Sequence, residues 1–469
     1  MEKDPSNKLS LSVKIGYGSA EISGSMIWII FYLYFMYFLT DVVHLDPGTA
    51  GLILAVATLW DAVAGLFVGV MSDQLKSRWG RRRPFLLAVA VPYGIAAWLL
   101  FTDFSLGPVM TQIYFFAMVI IYWSCMALLN IPYTALAAEM TQNYDDRMSL
   151  VSYRAVAGQV FGIAAASLPL ILAAYFGEAF GSMKIGWSLM AAAFGFFSIF
   201  PILHTWRATR GYELFPESSA VKIKEMIRAL TGNRPFRYTI AIWTTGIIGA
   251  NLGGAVFIYF MKYRMGFDES KISTAFLVFF VGGFLYIPLI NYISAKTEKR
   301  WAFIIFSALW MLPMCCGMLW VGPETEIWYW IFLSIMSVGS ILVYIMGWSM
   351  IPDVVEVDEC KSGQRREGVY FAVAAFIQKA GSALALWFVG FVLSRVGYVP
   401  DVEQTENVMW CIRLLTGIAP VFFIIAAMIF AYLLPLTREK HQALCEIISC
   451  KKDGKAYDLT CVEDILPTK

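Results

Sequence analysis

Apolar runs long enough to form membrane-crossing helices recur along the whole chain, each separated from the next by a polar break. They fall near 15–41, 48–71, 85–103, 109–139, 153–176, 184–206, 237–262, 271–293, 301–321, 326–350, 369–394 and 408–435. About 20 helical residues cross a ~30 Å hydrocarbon layer. The pattern therefore predicts twelve transmembrane helices. A barrel would need short alternating strands, and these runs are too long and too continuously apolar for that. The longest internal connection, about 207–236, falls between the sixth and seventh runs. Its segment SSAVKIKEMIRALTGNRPF is expected to form an amphipathic surface helix, with Val221, Ile223, Met226, Ile227 and Leu230 on one side and basic residues on the other. The expected organisation is an N-terminal six-helix bundle (1–206), a linker (207–236), a C-terminal six-helix bundle (237–435) and a tail (436–469). The fold class is an all-α integral membrane protein of duplicated-transporter type, inferred from the span count and the linker position.

Composition agrees. Hydrophobic residues are 59% of the chain and charged residues 15%, against about 25% in soluble domains, so a soluble fold could not bury this much apolar surface. The placement of charge says more than the net +2. Lys76, Arg78 and Arg81–Arg83 follow the second run. Lys222, Lys224, Arg228 and Arg234 follow the sixth, Lys296, Lys299 and Arg300 the eighth, and Lys361, Arg365 and Arg366 the tenth. The intervening HLDPG, DFSLGP and GPETE segments carry no Lys or Arg. The positive-inside rule then places both termini in the cytoplasm. Lys262, Arg264 and Lys271 depart from this alternation and are assigned only interfacial anchoring. The N-terminal residues lack the charged-then-apolar pattern of a cleaved signal, so the first helix is expected to direct insertion.

Ionisable residues inside membrane helices are costly and mark sites by default, with insertion penalties of roughly 2.5–3.5 kcal/mol. Asp61 interrupts the second run, with Gly65 and Gly69 at four-residue steps forming a small-residue face suited to close helix contact. Its structural alternative is an ion pair with a buried Lys or Arg. Glu21, with Ser25 one turn on, sits in a glycine-rich part of the first run. It can hold a proton or cation, or simply pair with Lys14. In the fourth run Asn130, Pro132 and Tyr133 are expected to break the helix and offer a donor and acceptor to a hydroxylated ligand, or an inter-helix bond. Arg154 opens the fifth run. Lys379 lies about ten residues inside the eleventh, next to Gln378, and needs a partner such as Asp61 or an anionic ligand. Trp123, Tyr344, Trp348 and Trp387 are candidates to stack on a sugar ring, but with 16 Trp in the chain each is more simply a packing or interfacial residue. Asp73, Arg78, Arg81, Arg82, Arg83, Glu139, Arg147 and Asp353 are expected to form an inner gate. Glu139, Asp145, Asp146 and Arg147 would close it by charge pairing with the facing half, or else form a solvated loop.

Eight cysteines are too few and too scattered for a disulfide framework. His441, Cys445, Cys450 and Cys461 are ligand types that suit zinc, but their spacing matches no tight zinc pattern, so no metal site is expected. No G-x-x-x-x-G-K-[ST] is present, which argues against ATP-driven transport. No nucleophile–base pairing or metal cluster appears within the runs, so the chain is not expected to be an enzyme.

The motifs YGSAEISGS…FLTDVVHL, LWDAVAG…SDQLKSRWGRRRPFLL, NIPYTALAAEMT…DDRMSLVSYR, MIPDVVEVDECKSGQRREGVYFAVAAFIQKAGSALA and GYVPDVEQT occur in order. Together they resemble the glycoside–pentoside–hexuronide:cation symporters of the major facilitator superfamily over nearly the whole length. The resemblance implies a central sugar site, alternating access, and a coupling ion, H⁺ or Na⁺, in place of any cofactor. It implies a small-molecule glycoside or organic-anion substrate; the lack of targeting elements fits a bacterial inner membrane, and a monomer in lipid with no nucleic-acid partner is expected. Carried over by position, Asp61 matches the acid of the cation site, Arg154 a sugar-site arginine, and Lys379 the lysine between the two sites. Asn130 stands where some members have a sugar-binding acid and others Asn. Two positions depart: the second acid of helix II is here Gly65, and the helix-I Asp or Asn is here Ser25. One carboxylate suits a proton at least as well as sodium, which prefers several oxygen ligands. With fewer acids facing Arg154 and Lys379, an anionic substrate is as plausible as a neutral sugar. A lipid or lysolipid carrier on the same scaffold, an uncoupled facilitator, and a non-transporting sensor are the rivals, the last disfavoured by the short tail.

Overall fold

A computed structural model describes residues 9–75, 77, 79–141, 143–212, 232–363, 366–453, 456–457 and 460–465. Among the described residues the secondary structure is helical, with twelve helices long and apolar enough to cross a membrane. They are α1 Leu11–Val42, α2 Pro47–Gln74, α3 Arg83–Leu100, α4 Pro108–Met140, α5 Asp145–Phe180, α6 Met183–Ala208, α7 Arg234–Arg264, α8 Glu269–Lys296, α9 Lys299–Trp320, α10 Pro323–Ser362, α11 Glu367–Arg395 and α12 Glu406–Tyr432. A further helix, α13 (Arg438–Lys452), follows them. In lipid every backbone donor and acceptor must be satisfied internally, which is why the apolar runs emerge as helices, with short interruptions at 337–338 in α10 and at Gly417 in α12. The amphipathic linker helix expected at 221–230 lies outside the described residues, as does Arg78.

Two helices extend well past their apolar runs. Helix α5 begins near residue 145 rather than 153, because the Asn143 side chain caps it by accepting from the backbone N–H groups of Asp145 (2.9 Å) and Asp146 (3.2 Å). Helix α10 runs to Ser362 rather than 350. It ends at Gly363, which adopts a left-handed φ of 69° and donates its N–H to the Glu359 carbonyl at 2.9 Å. The polar segment after Ser349 is thus helical despite its charge. Helix α4 also runs through Pro132 without a break, contrary to the sequence expectation. Proline there removes only the N–H that would bond the Leu128 carbonyl. Three helices contain a wide π turn: Phe38–Val42 in α1, Phe260–Arg264 in α7 and Pro313–Gly317 in α9.

The chain divides into two compact units. The first comprises Met1–Ser219, Met261–Leu277 and Leu386–Met409. Within it α1 packs on α5 and α6, α3 on α4 and α6, and α2 on α4. The second comprises Ala220–Phe260, Val278–Ala385 and Trp410–Lys469. Here α7 packs on α10 and α12, α9 on α10 and α12, and α13 on α10. Without a strong hydrophobic drive between helices in lipid, close approach depends on small residues. In the first unit a Cβ on Gly94 of α3 would lie 2.6 Å from the Gly195 carbonyl oxygen of α6, so the two backbones touch. The small-residue face expected at Gly65 and Gly69 plays no such part. A Cβ at Gly65 would meet only Ile131 Cδ1 at 3.8 Å, and one at Gly69 would meet nothing within 4 Å. The α2–α4 interface is instead built by Ala64, Val68 and Ala127, flanked by Trp60, Leu128 and Ile131.

The contrast gives a prediction. Gly195→Val should destabilise by about 1–3 kcal/mol through overpacking, whereas Gly69→Val should stay within about 0.5 kcal/mol. Unfolding midpoints of the two variants in the same detergent check this, and equal midpoints would refute the assignment of the α3–α6 contact.

Candidate functional site

The first unit holds a polar niche built by α1, α4 and α5. Glu21 of α1 forms an ion pair with Arg154 of α5 through Nε, and both side chains are 23% exposed. Arg154 Nη1 donates to Thr134 Oγ1 of α4 at 3.1 Å, and that hydroxyl donates to Asn130 Oδ1 at 3.0 Å. The guanidinium lies 5.0 Å from the Tyr133 ring centre, a cation–π distance. Tyr133 and Tyr17 are both buried, and each hydroxyl donates to the other's backbone carbonyl, at 3.0 and 3.4 Å. Ser25 donates to the Glu21 carbonyl at 2.6 Å and to the Gly158 carbonyl at 3.4 Å. Gly158 permits this approach, because a Cβ there would sit 3.0 Å from Glu21 Cγ. The structure therefore unites Glu21, Ser25, Asn130 and Arg154. Lys14 does not pair with Glu21: it bonds Asp146 at 2.8 Å.

Asp61 is half-buried on α2, beside Trp60, whose indole donates to Ser124 of α4 at 2.9 Å. In the second unit Lys379 and Tyr344 are half-buried on α11 and α10. Gln378 donates within its own helix to Ser382 at 3.0 Å. Trp348 is 54% exposed, meets Trp243 edge-on at 5.4 Å and stacks on Phe371 at 5.5 Å. Trp123 is different: it is fully buried among Phe31, Tyr32 and Tyr122, which makes it a core residue rather than a ligand platform.

The basic turn between α2 and α3 is a buried network. Glu139 of α4 is 2% exposed and accepts from Arg81 Nη2 (2.6 Å) and Arg82 Nε (3.0 Å). Arg82 also bonds Ser72 and Asp73 of α2. Arg83 donates to the Trp206 carbonyl at 2.7 Å and lies over that indole. Glu139 bonds the arginines of its own unit, Asp146 bonds Lys14 and the Leu9 backbone, and Arg147 bonds the Thr141 carbonyl. In the second unit Lys299 holds Asp353 at 2.7 Å and Arg366 holds Asp358 at 2.7 Å.

Lys262 finds an explanation that loop charge did not supply. It lies in the π turn of α7 and bonds Asp41 (3.1 Å), in the π turn of α1, together with Asp401 (2.9 Å) and the Tyr37 hydroxyl (3.0 Å). Asp41, its side chain 1% exposed, also accepts from Tyr263 (2.7 Å) and Tyr398 (2.9 Å). All six residues belong to the first unit. A buried carboxylate requires such saturation.

Twelve membrane-length helices carrying buried charge networks and a half-buried polar niche describe a multi-pass membrane transporter. Residues 16–438 match the family model described as MFS/sugar transport protein, and the chain belongs to that family. It is 27% identical to an uncharacterised symporter of Synechocystis, over 95% of this chain and 98% of the relative. It is also 27% identical to a glucuronide carrier protein homolog of Escherichia coli, over 95% and 97%. A bacterial homologue of the lysosomal transporter Spinster shares the fold, with a TM-score of 0.66, 14% identity and coverage of 92% and 97%. The family and these relatives are transporters rather than enzymes.

The niche generates a test by double-mutant cycle. Glu21→Gln and Arg154→Gln should each destabilise by leaving a partly buried charge unpaired, and the double variant by less than their sum, with a coupling of about 0.5–3 kcal/mol. Additive melting shifts would mean that the pair makes no net contribution.

Proposed function

We propose that the protein is a proton-coupled symporter of glycosides whose preferred substrates carry a carboxylate, as hexuronides do. The observation that carries this reading is the Glu21–Arg154 pair beside Asn130 and Thr134. A guanidinium presents five donors in a planar fork that matches a carboxylate. Glu21 holds the guanidinium through Nε while Nη1 donates to Thr134. Once protonated, Glu21 loses the charge that holds Arg154, and a substrate carboxylate takes its place. Proton and anion then bind as a neutral couple, and each tightens the other by reciprocity. Asn130 and Thr134 supply hydroxyl partners for the sugar. Pairing with Glu21 also means that Arg154 is not an unbalanced charge, so the anion preference rests on exchange at the pair rather than on surplus positive charge.

Asp61 is assigned a second ion-exchange role and Lys379 the link between charge state and substrate, on their place inside α2 and α11. A single carboxylate on α2, with Gly65 one turn on, favours the proton over sodium. The loop charges favour cytoplasmic termini, and the similarity to an inner membrane symporter of Escherichia coli supports a bacterial membrane. The carrier alternates its central site between the two sides of the membrane, with lipid as its only required surroundings. The similarity to a glucuronide carrier homolog supports the substrate class.

Ligand-stabilised melting of the purified protein tests the reading. Glucuronides, neutral glycosides and small organic anions are screened with and without sodium at two pH values. Stabilisation follows RT ln(1 + [L]/Kd), about 2.7 kcal/mol at a hundredfold excess over Kd. A glucuronide should stabilise without sodium and more strongly at the lower pH. Stabilisation by a neutral glycoside only in the presence of sodium would overturn both the anion and the proton assignments. In proteoliposomes, Asp61→Asn should abolish gradient-driven accumulation while leaving exchange; retained accumulation would remove Asp61 from coupling.

A further inference from the structure

Helix α13 lies against α10 in the second unit, and one contact between them has the composition of a metal site. His441 and Cys445 are four residues apart on α13 and therefore share a face. Glu356 of α10 projects to the same point. His441 Nε2 lies 2.8 Å from Glu356 Oε2, and Cys445 Sγ lies 3.3 Å from the same oxygen. The three ligand atoms all fall within 4.8 Å of one another. A tetrahedral zinc-class ion, with ligand bonds of about 2.0–2.3 Å, holds its ligand atoms about 3.3–3.6 Å apart, so only small side-chain adjustments separate this cluster from a coordination shell.

We propose that Glu356, His441 and Cys445 bind a thiophilic divalent ion of the zinc class, which ties α13 to the end of α10. The donor set selects the ion. Thiolate, imidazole and carboxylate together suit zinc and its neighbours, not magnesium or calcium. The charges balance as well, since one thiolate, one carboxylate and one neutral imidazole neutralise a dication. Asp353 Oδ1 lies 3.7 Å from His441 Nε2 but is held by Lys299, so it is not counted as a ligand. The fourth position belongs to water. A cavity of about 370 Å³ beside the cluster, bounded by Asn291, Glu298, Lys299, Asp353, Arg438 and His441, gives water and the ion a route in. Helix α13 is positioned without metal: Thr437 caps it, Arg438 bonds the Ala295 carbonyl at 2.7 Å and Lys451 bonds the Cys360 carbonyl. The ligands are therefore pre-set and need not be gathered by the ion.

The full-length protein, stripped with chelator under reducing conditions, is titrated with Co²⁺. One equivalent should bind with a thiolate-to-cobalt charge-transfer band, be displaced by Zn²⁺, and raise the melting midpoint. Cys445→Ser and His441→Ala should remove the band. Glu356→Gln should keep the band and weaken binding by about 100-fold, while Cys450→Ser and Cys461→Ser change nothing. Metal-free melting midpoints establish that each variant folds, and Cys445→Ala replaces any serine variant that does not. Absence of the band in the native protein, its survival in Cys445→Ser or Cys445→Ala, or its dependence on Cys450 or Cys461 would each overturn the site.

Discussion

The cost of a charge without a counter-charge in apolar surroundings governs this molecule more than any other term. Hydrophobicity assembles twelve helices but distinguishes poorly among their mutual arrangements, since lipid tails solvate leucine as well as a neighbouring helix does. The charges do discriminate. Glu139 draws two arginines of the α2–α3 turn onto α4, Glu21 ties α1 to α5, and Asp41 gathers one lysine and three tyrosine hydroxyls, directly or through Lys262. Each network joins segments distant in sequence, and each loses its counter-charge if those segments misalign. Removing one member of such a pair leaves the other buried and uncompensated, which costs more than the intact pair contributes.

The same constraint unites structure and transport chemistry. An ion pair inside a carrier is stable only while both members are charged, so protonating the acid releases the base. The Glu21–Arg154 niche is suited to such exchange because it is partly exposed and has hydroxyl and amide neighbours. The Glu139 network is not, since its acid is sealed and accepts from two cations at once. Burial and the number of partners thus distinguish the two acids: Glu21 has one cation and partial exposure, Glu139 two cations and almost none.

Much of the architecture was legible in the sequence because the length of an apolar run is a direct readout of membrane thickness. All twelve spans were found that way. Their ends were not, because caps and turn glycines decide them: Asn143 starts α5 ahead of its apolar run, and Gly363 lets α10 continue through charged residues. The ionisable residues of the helices were legible as charges out of place, as with Glu21, Asp61, Arg154 and Lys379. Their pairings were not, since Glu21 and Arg154 lie 133 residues apart and nothing local joins them. Lys262 looked anomalous only because its counter-ion, Asp41, is 221 residues away. Glu356 was invisible as a neighbour of His441 and Cys445 for the same reason. The glycines of α2 misled in the opposite direction: their spacing is that of a helix contact, but no backbone comes near them.

The wide turns that present Asp41 and Lys262 bear on how firmly these two helix ends hold together. A π turn closes its hydrogen bonds at i→i+5, and here each forms the last, widened turn of its helix. Both members of this pair are delivered by such turns. Closing each helix and neutralising its charge are therefore a single event: if either terminal turn frays, one member of the pair is withdrawn and the other is left without its counter-charge.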